Sequence, residues 1–476
     1  QAATSLPMFL LSLPSGALAD VLDRRKILLF TQTWMTLAAA ALGLFTLAGG
    51  TTPKLLLFFT FLLGLGAAMN GPAWQAITPD LVPREDLPAA VTLASVGFNI
   101  ARAAGPAIGG LIVAATGPGA TFLLNAVSFL GVLVVLYLWK RPEEETMLPA
   151  ERIWGAMQTG VRYVLHAPEV MTVILRGTAF VLCGSSLWAL LPLIAKRELS
   201  SGPAGYGLLL GALGVGAVSA AMVLPRLKRN NSTDLVVAVA TVVFAAATVT
   251  LAYVRSFPLL MLAMLFAGGA WLSLLSSLNV AVQTLVPSWV RARALSVYML
   301  VFYGGLAGGS ALWGAVGDRF SVSTSLLISA VGMVVGLALT ARYHLRSGEG
   351  LNLSPSRMWP APIVRHEPEP DHGPVLVTVQ YQVDPARQSE FKEAMRAVRR
   401  IRLRDGAMEW GLFADAAVEH RRVEVFLVKS WLEYLRQRER MTVADRDVTE
   451  RARAFHVGDE PPVVHRLIAE RVPKKD

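Results

Sequence analysis

The sequence predicts an all-α polytopic membrane protein that carries a small α+β soluble domain at its C-terminal end. Three observations carry that reading. Of 476 residues, 54% are hydrophobic and only 16% charged, and mean hydropathy is +0.49, values that belong to chains dissolved in lipid rather than water. Eleven apolar stretches, roughly 4–20, 27–48, 54–76, 86–113, 119–139, 171–195, 203–225, 233–254, 257–287, 293–317 and 322–342, span or nearly span about 30 Å of hydrocarbon. After residue 343 this pattern stops and short alternating segments begin.

The formal charge of +10 has a simple source. With the loop around Arg24 assigned to the cytoplasm and the spans alternating, thirteen Lys or Arg fall in inside loops against five outside, the bias that orients membrane helices. Most of the remaining cations lie in the tail, so a nucleic-acid surface is not expected. Cys183 is the single cysteine and lies inside an apolar span, so there is no intrachain disulfide to place. The stretch 4–20 lacks a basic flank and does not read as a cleavable leader. An odd number of spans with the C-terminus inside predicts a further helix ahead of Gln1, making twelve.

Between the first two spans runs Gly16-Ala17-Leu18-Ala19-Asp20-Val21-Leu22-Asp23-Arg24-Arg25-Lys26. Pro7 and Pro14 predict bending before it, and Gly16 permits close helix approach. Lys26 reads as an orientation anchor. Asp20 does not, and across a tight turn its carboxylate can meet the guanidinium groups of Arg24 and Arg25. The pattern Gly16, Leu18, Asp20, Arg24, Arg25 resembles the loop signature between the second and third helices of the major facilitator superfamily of secondary transporters. It departs at Asp23, where that family usually has Gly, and at Val21, where it usually has a basic residue. The resemblance implies a twelve-helix fold in two halves of six, the first helix missing here, and a cytoplasmic gate at Gly16, Asp20, Arg24 and Arg25.

The next spans hold the polar candidates. Gly64, Gly66, Ala67, Ala68, Asn70 and Gly71 make a small-residue surface suited to packing. Asn99 and Arg102 follow in 86–113, and an intramembrane cation must face the protein interior or a wet cavity. Arg102 therefore reads either as paired within the bundle or as a contact to an anionic or polar substrate. Gly105-Pro106-Ala107-Ile108-Gly109-Gly110 resembles the glycine-proline packing motif of drug and siderophore exporters in the superfamily. Asn125 reads as an interhelical hydrogen-bonding group.

Residues 151–166 show helical apolar spacing through Ile153, Met157, Val161, Val164 and Leu165, an inside helix lying near the bilayer and joining the halves. The second half repeats the first in coarse pattern, as expected of the resembled architecture. The counterpart of the opening loop, Leu224 to Asn231, keeps basic residues but lacks an acid at the Asp20 place. Arg176, in a span with Cys183 and Trp188, is a second intramembrane cation. Asn279 and Gln283 lie four apart on one helical face. Tyr298, Phe302 and Tyr303 line a cavity for an amphipathic compound or simply pack. No acid lies centrally in any span.

The expected domains are an N-terminal bundle at 1–140, a linker with an amphipathic helix at 141–170, a C-terminal bundle at 171–343, a flexible linker at 344–371 rich in proline, glycine and charge, and a cytoplasmic domain at 372–476. In the last, strand 374–382, helix 386–402, strands 408–415 and 420–428, helices within 430–455 and strand 462–469 give a β-α-β-β-α-β order, that of a ferredoxin-like domain. Val423 to Trp431, with Thr442 to Asp445, resembles small dimeric domains related to antibiotic-biosynthesis monooxygenases. Such domains accompany a bacterial branch of the superfamily, enterobactin-exporter-like or transmembrane secretion effector proteins. His420, His456 and His465 lack metal-ligand spacing, and no flavin or haem motif appears, so no cofactor is expected. Trp410 and Trp431 line a pocket or, the favoured reading, fill a core.

The resulting expectation is a bacterial inner-membrane exporter, not an enzyme. It moves small molecules such as drugs or siderophores by alternating access, is coupled to protons, and can dimerise through the tail. The rival is a membrane-anchored sensor or monooxygenase-like enzyme whose activity resides in the tail.

Overall fold

The computed structural model describes residues 2–81, 87–139, 153–195, 202–345, 351–356, 368–458 and 460–470; some helix side chains, those of Asp20, Asn99, Arg102 and Pro106 among them, lie outside the described set. The chain divides into two compact units. Gln1–Met157, Thr172–Gln283 and Leu295–Ser347 form the first, and Gln158–Met171, Thr284–Ala294 and Gly348–Asp476 the second.

The first unit is helical: α1 Ala2–Val21, α2 Arg24–Leu47, α3 Pro53–Leu81, α4 Leu87–Leu138, α5 Ile153–His166 up to Met157, most of α6 Pro168–Leu193, α7 Gly202–Asn230, α8 Thr233–Tyr253, α9 Phe257–Leu285, α10 Arg291–Arg319 and α11 Val322–Thr340. Helix starts follow capping chemistry. Asp23 accepts from the Arg25 and Lys26 amides ahead of α2, and Ser232 and Ser321 do the same ahead of α8 and α11. Nine stretches among the described residues are long and apolar enough to cross a membrane, and Leu6–Ala19 is a shorter apolar helix. Leu37, Leu44, Val135, Met222 and Leu339 stay exposed on these helices, as lipid-facing surfaces require.

The stretches expected at 86–113 and 119–139 are two helices within α4 that meet at a kink at Gly117 (φ 81°, ψ 169°). That conformation is open to glycine and costly for any residue with a Cβ, so one residue makes the corner. Between α7 and α9 the backbones touch. A Cβ on Gly216 would overlap the Leu265 carbonyl, and one on Gly268 the Leu213 carbonyl, so small residues set this contact.

The second unit contains the end of α5, the start of α6, residues 284–294 and the tail. The tail holds β1 Val375–Gln382, α12 Gln388–Asp405, β2 Ala407–Ala414, β3 Arg421–Val428, α13 Trp431–Arg440, α14 Val443–Arg453 and β4 Val463–Ile468. The four-stranded sheet has the order β2-β3-β1-β4 and every pairing is antiparallel, with Val375 opposite both Val428 and Ile468. Alternation puts Val375, Val377, Val379 and Tyr381 of β1 and Phe426 and Val428 of β3 on one face, where they join Phe391, Met395 and Val398 of α12 and Trp431 and Tyr434 of α13 in the core. Trp431 is thus a core residue.

Within the stretch expected to be a flexible linker, residues 351–356 are held by backbone bonds. The Val443 and Ala444 amides donate to the carbonyls of Ser354 and Asn352, and the Ser356 amide to that of Met441. The first amides of a helix have no partner inside it, and this passing strand supplies them at α14. Thr442 and Asp445 complete that start as a capping box.

Candidate functional site

The loop after α1 is organised by charge. Gly16 is buried in α1. At the head of α2, Arg24 Nε donates to the Ala19 carbonyl at 3.3 Å. Arg25 Nε and Nη2 donate to the carbonyls of Leu136 and Tyr137 at 2.9 and 2.6 Å. Those carbonyls lie in the last turn of α4, where unpaired oxygens and the helix dipole favour a cation. Arg25 therefore ties the start of α2 to the end of α4. The expected Asp20 partner lies outside the described residues.

About two turns further along α2, Asn70 of α3 is the centre of a polar bridge. Its Oδ1 accepts from Thr31 Oγ1 at 3.1 Å and Gln32 Nε2 at 3.2 Å, and Thr31 and Gln32 are buried in α2. Asn70 is thus a helix-to-helix contact. Its two partners were not singled out in the sequence, although adjacent polar residues inside an apolar run are a visible signal.

In the second half, Arg176 is buried in α6 and its Nη1 lies 2.6 Å from Asp234 Oδ1. Asp234 stands in the first turn of α8. It also accepts the Leu345 amide at 3.0 Å and faces His344 Nδ1 at 3.2 Å. A buried cation thus finds its counter-charge one helix away, just past a loop that lacks an acid. Asp234 was missed because an acid in a first turn reads as dipole compensation.

Arg176 and Phe180 line a crevice with Val237, Thr241, Met333 and Thr340. Through Phe180 it adjoins an aromatic cluster. Trp271 packs against Phe180, Trp188, Phe244 and Phe302 at centroid distances of 5.4–6.4 Å, and Phe302 in turn meets Tyr298 and Tyr303. The Trp188 indole N–H has no hydrogen-bond partner among the described residues. Gln283 Nε2 donates to Asn279 Oδ1 at 2.5 Å, the contact their spacing predicts. Asn125 is exposed, and a Cβ at Gly105 or Gly109 would meet nothing within 4 Å among the described residues. Asn99, Arg102 and Pro106 lie outside the described side chains.

The tail contains its own buried charge. Glu424 is fully buried on the inward face of β3. Its carboxylate accepts from Arg402 Nε and Trp410 Nε1, both at 3.0 Å, and from Tyr381 Oη at 3.3 Å. Burial pushes the Tyr381 phenol up, and the neighbouring carboxylate adds to the shift. Burial alone would lower Arg402, but Glu424 more than offsets it and holds the guanidinium charged. Trp410 is therefore a donor to this cluster. No group of three His, Cys, Asp or Glu among the described residues is placed to hold a metal. His456 instead accepts the Gln382 amide through Nδ1 at 2.8 Å.

A family model described as transmembrane secretion effector matches residues 1–474. The chain belongs to the transmembrane secretion effector family. The staphyloferrin A transporter of Staphylococcus aureus is 28% identical over 227 residues, which cover 46% of this chain and 56% of that protein. The enterobactin exporter EntS of Salmonella typhimurium is 28% identical over 345 residues, or 70% of this chain and 80% of that one. The fucose:proton symporter FucP of E. coli superposes with a TM-score of 0.52 at 16% identity, covering 72% of this chain and 89% of its own. At that identity the likeness is one of fold. This secretion effector chain therefore has a major facilitator helix bundle with an α+β tail.

Proposed function

We propose that this secretion effector is a secondary transporter that exports small molecules, siderophores or drugs among them, across the bacterial inner membrane by alternating access. The family match over 1–474 carries the reading, and the enterobactin exporter among the relatives supports its direction. Protons are the coupling ion in this reading. The tail lies on the cytoplasmic side, an assignment supported by the excess of Lys and Arg in the loops on that side. The loop at Gly16, Asp20, Arg24 and Arg25 serves as the inside gate. Arg25 on the end of α4 supports that role, because a contact between helix ends can break when the bundle rocks.

The test is uptake into inverted vesicles, with enterobactin and ethidium as probes, with and without an imposed pH gradient. The wild-type chain should accumulate at least one probe when the gradient is present, and Asp20→Asn should slow that uptake at least tenfold. Normal uptake by the variant would refute the gate. Absence of uptake, together with redox-cofactor-dependent turnover by the full chain, would move the function to the tail.

We also propose that the tail can pair with a second copy through the sheet face opposite its helices. Leu376, Val425 and Leu427 on that face are half-buried and Leu467 is exposed, an apolar surface of the sort that two sheets cover together. In mass photometry of nanodiscs, Leu427→Glu should shift the full chain from dimer to monomer; a wild-type monomer would refute the pairing.

A further inference from the structure

Residues 158–171 and 284–294 cluster with the tail and not with the helices they continue. The first segment is the end of α5, which joins the two halves in the chain, with the start of α6, and the second is the loop between α9 and α10 with the helix ends that flank it. Both are gripped by side chains of the tail. Tyr163 of α5 and Trp289 of the loop meet edge to face at 5.7 Å. Arg404 of α12 lies over the Tyr163 ring at 5.2 Å, and Arg440 of α13 lies over the Trp289 ring at 4.9 Å. The result is one continuous stack, Arg404, Tyr163, Trp289, Arg440, that alternates tail, helix, loop and tail.

The two arginines are held in place before they meet the rings. Arg404 donates to both carboxylate oxygens of Asp405 at 2.8 and 3.1 Å and to Asp445 at 2.7 Å. Arg440 donates to the Asp405 carbonyl at 2.7 Å and to Glu433 Oε1 at 2.5 Å. A planar guanidinium fixed by such forks presents its face without further ordering. Glu433 also binds Arg162 of α5 at 3.2 Å. Beside the stack, Gly160 lets α5 come so close to the first turn of α10 that a Cβ there would lie 2.7 Å from the Arg293 Cβ. Burial pushes the Tyr163 phenol up and keeps it neutral.

We infer that the C-terminal domain is a clamp that fastens α5 to the α9–α10 loop and thereby restrains opening of the inside end of the second half. The inference rests on the alternating-access reading for its consequence, but the clamp itself does not. The loop continues directly into α9 and α10, so neither helix end can swing away from α5 until the stack parts. Trp289 is the keystone: it is the loop's contribution, and its indole N–H has no hydrogen-bond partner among the described residues, so its ring face and not its polarity does the gripping.

Hydrogen exchange on the full chain in nanodiscs, with ethidium flux on the same preparations, tests it. Trp289→Ala should speed exchange at least tenfold in two segments remote from it in sequence, 158–166 and 431–440, and leave strands 375–382 and 421–428 at their wild-type rates. Trp289→Phe keeps a ring and should behave as wild type. Ethidium flux should rise about threefold in Trp289→Ala, with KM unchanged. Faster exchange confined to 284–294, or spread to the strands, would overturn the clamp. Faster exchange at both remote segments with unchanged flux would overturn its restraining role. Absence of flux from the wild-type chain would strike the transporter reading and leave the exchange result to decide the clamp.

Discussion

The loops after α1 and after α7 occupy corresponding places in the two halves, and they handle charge in opposite ways. In the first, the cation Arg25 reaches the carbonyl end of α4, a partial charge at a half-exposed position. In the second, the acid Asp234 reaches a full charge, Arg176, which is buried in α6. One contact is a cap on a helix and the other is the neutralisation of an ion that cannot reach water. A cap can be released and remade at modest cost, whereas parting a buried ion pair leaves a charge in a low-dielectric interior. In the proposed gate reading, the first-half loop is the part expected to move and the second-half loop the part expected to stay fixed.

This contrast can be broken experimentally. The largest effect is expected from Asp234→Ala, which leaves Arg176 uncompensated; destabilisation of about 3 kcal/mol should appear as a lowered Tm in detergent. The double variant Arg176→Met with Asp234→Asn keeps an acceptor for the Leu345 amide and should recover most of that loss. Arg25→Ala should cost about 1 kcal/mol, with Arg25→Lys intermediate, because an ammonium cannot reproduce the two-pronged contact. If Arg25→Ala were as damaging as Asp234→Ala, the distinction between moving and fixed loop would fall. Removing the helix caps sharpens the comparison from below: Asp23→Ala and Ser232→Ala should each cost at least roughly 0.5–1 kcal/mol, since both side chains accept first-turn amides.

Much of this architecture is legible in the chain itself, and the reason differs by region. Apolar runs long enough for lipid declare the helices, and the β-branched and aromatic runs in Val375 to Gln382 and Arg421 to Val428 declare the strands. What escapes is pairing between distant segments. Arg176 is conspicuous as a cation in a span, but Asp234 lies 58 positions on and looks like an ordinary first-turn acid. Asn70 stands out as polar, yet nothing local names Thr31 and Gln32 as its partners. Tyr163 and Trp289 carry no motif at all, and 126 positions separate them in the chain.

Glu424 has a further meaning for the sheet. Its neighbours along β3 alternate strictly, so sliding the strand by one residue against β1 would carry the whole inward set to the opposite face. Hydrocarbon side chains are forgiving of such an error, because another hydrocarbon takes the vacated place. A carboxylate bound by Arg402, Trp410 and Tyr381 is not, because the slipped strand would strand the guanidinium and the carboxylate on opposite sides of the sheet. The buried acid is thereby a registration mark, admitting one alignment of the central strands out of the several that their apolar residues alone would accept.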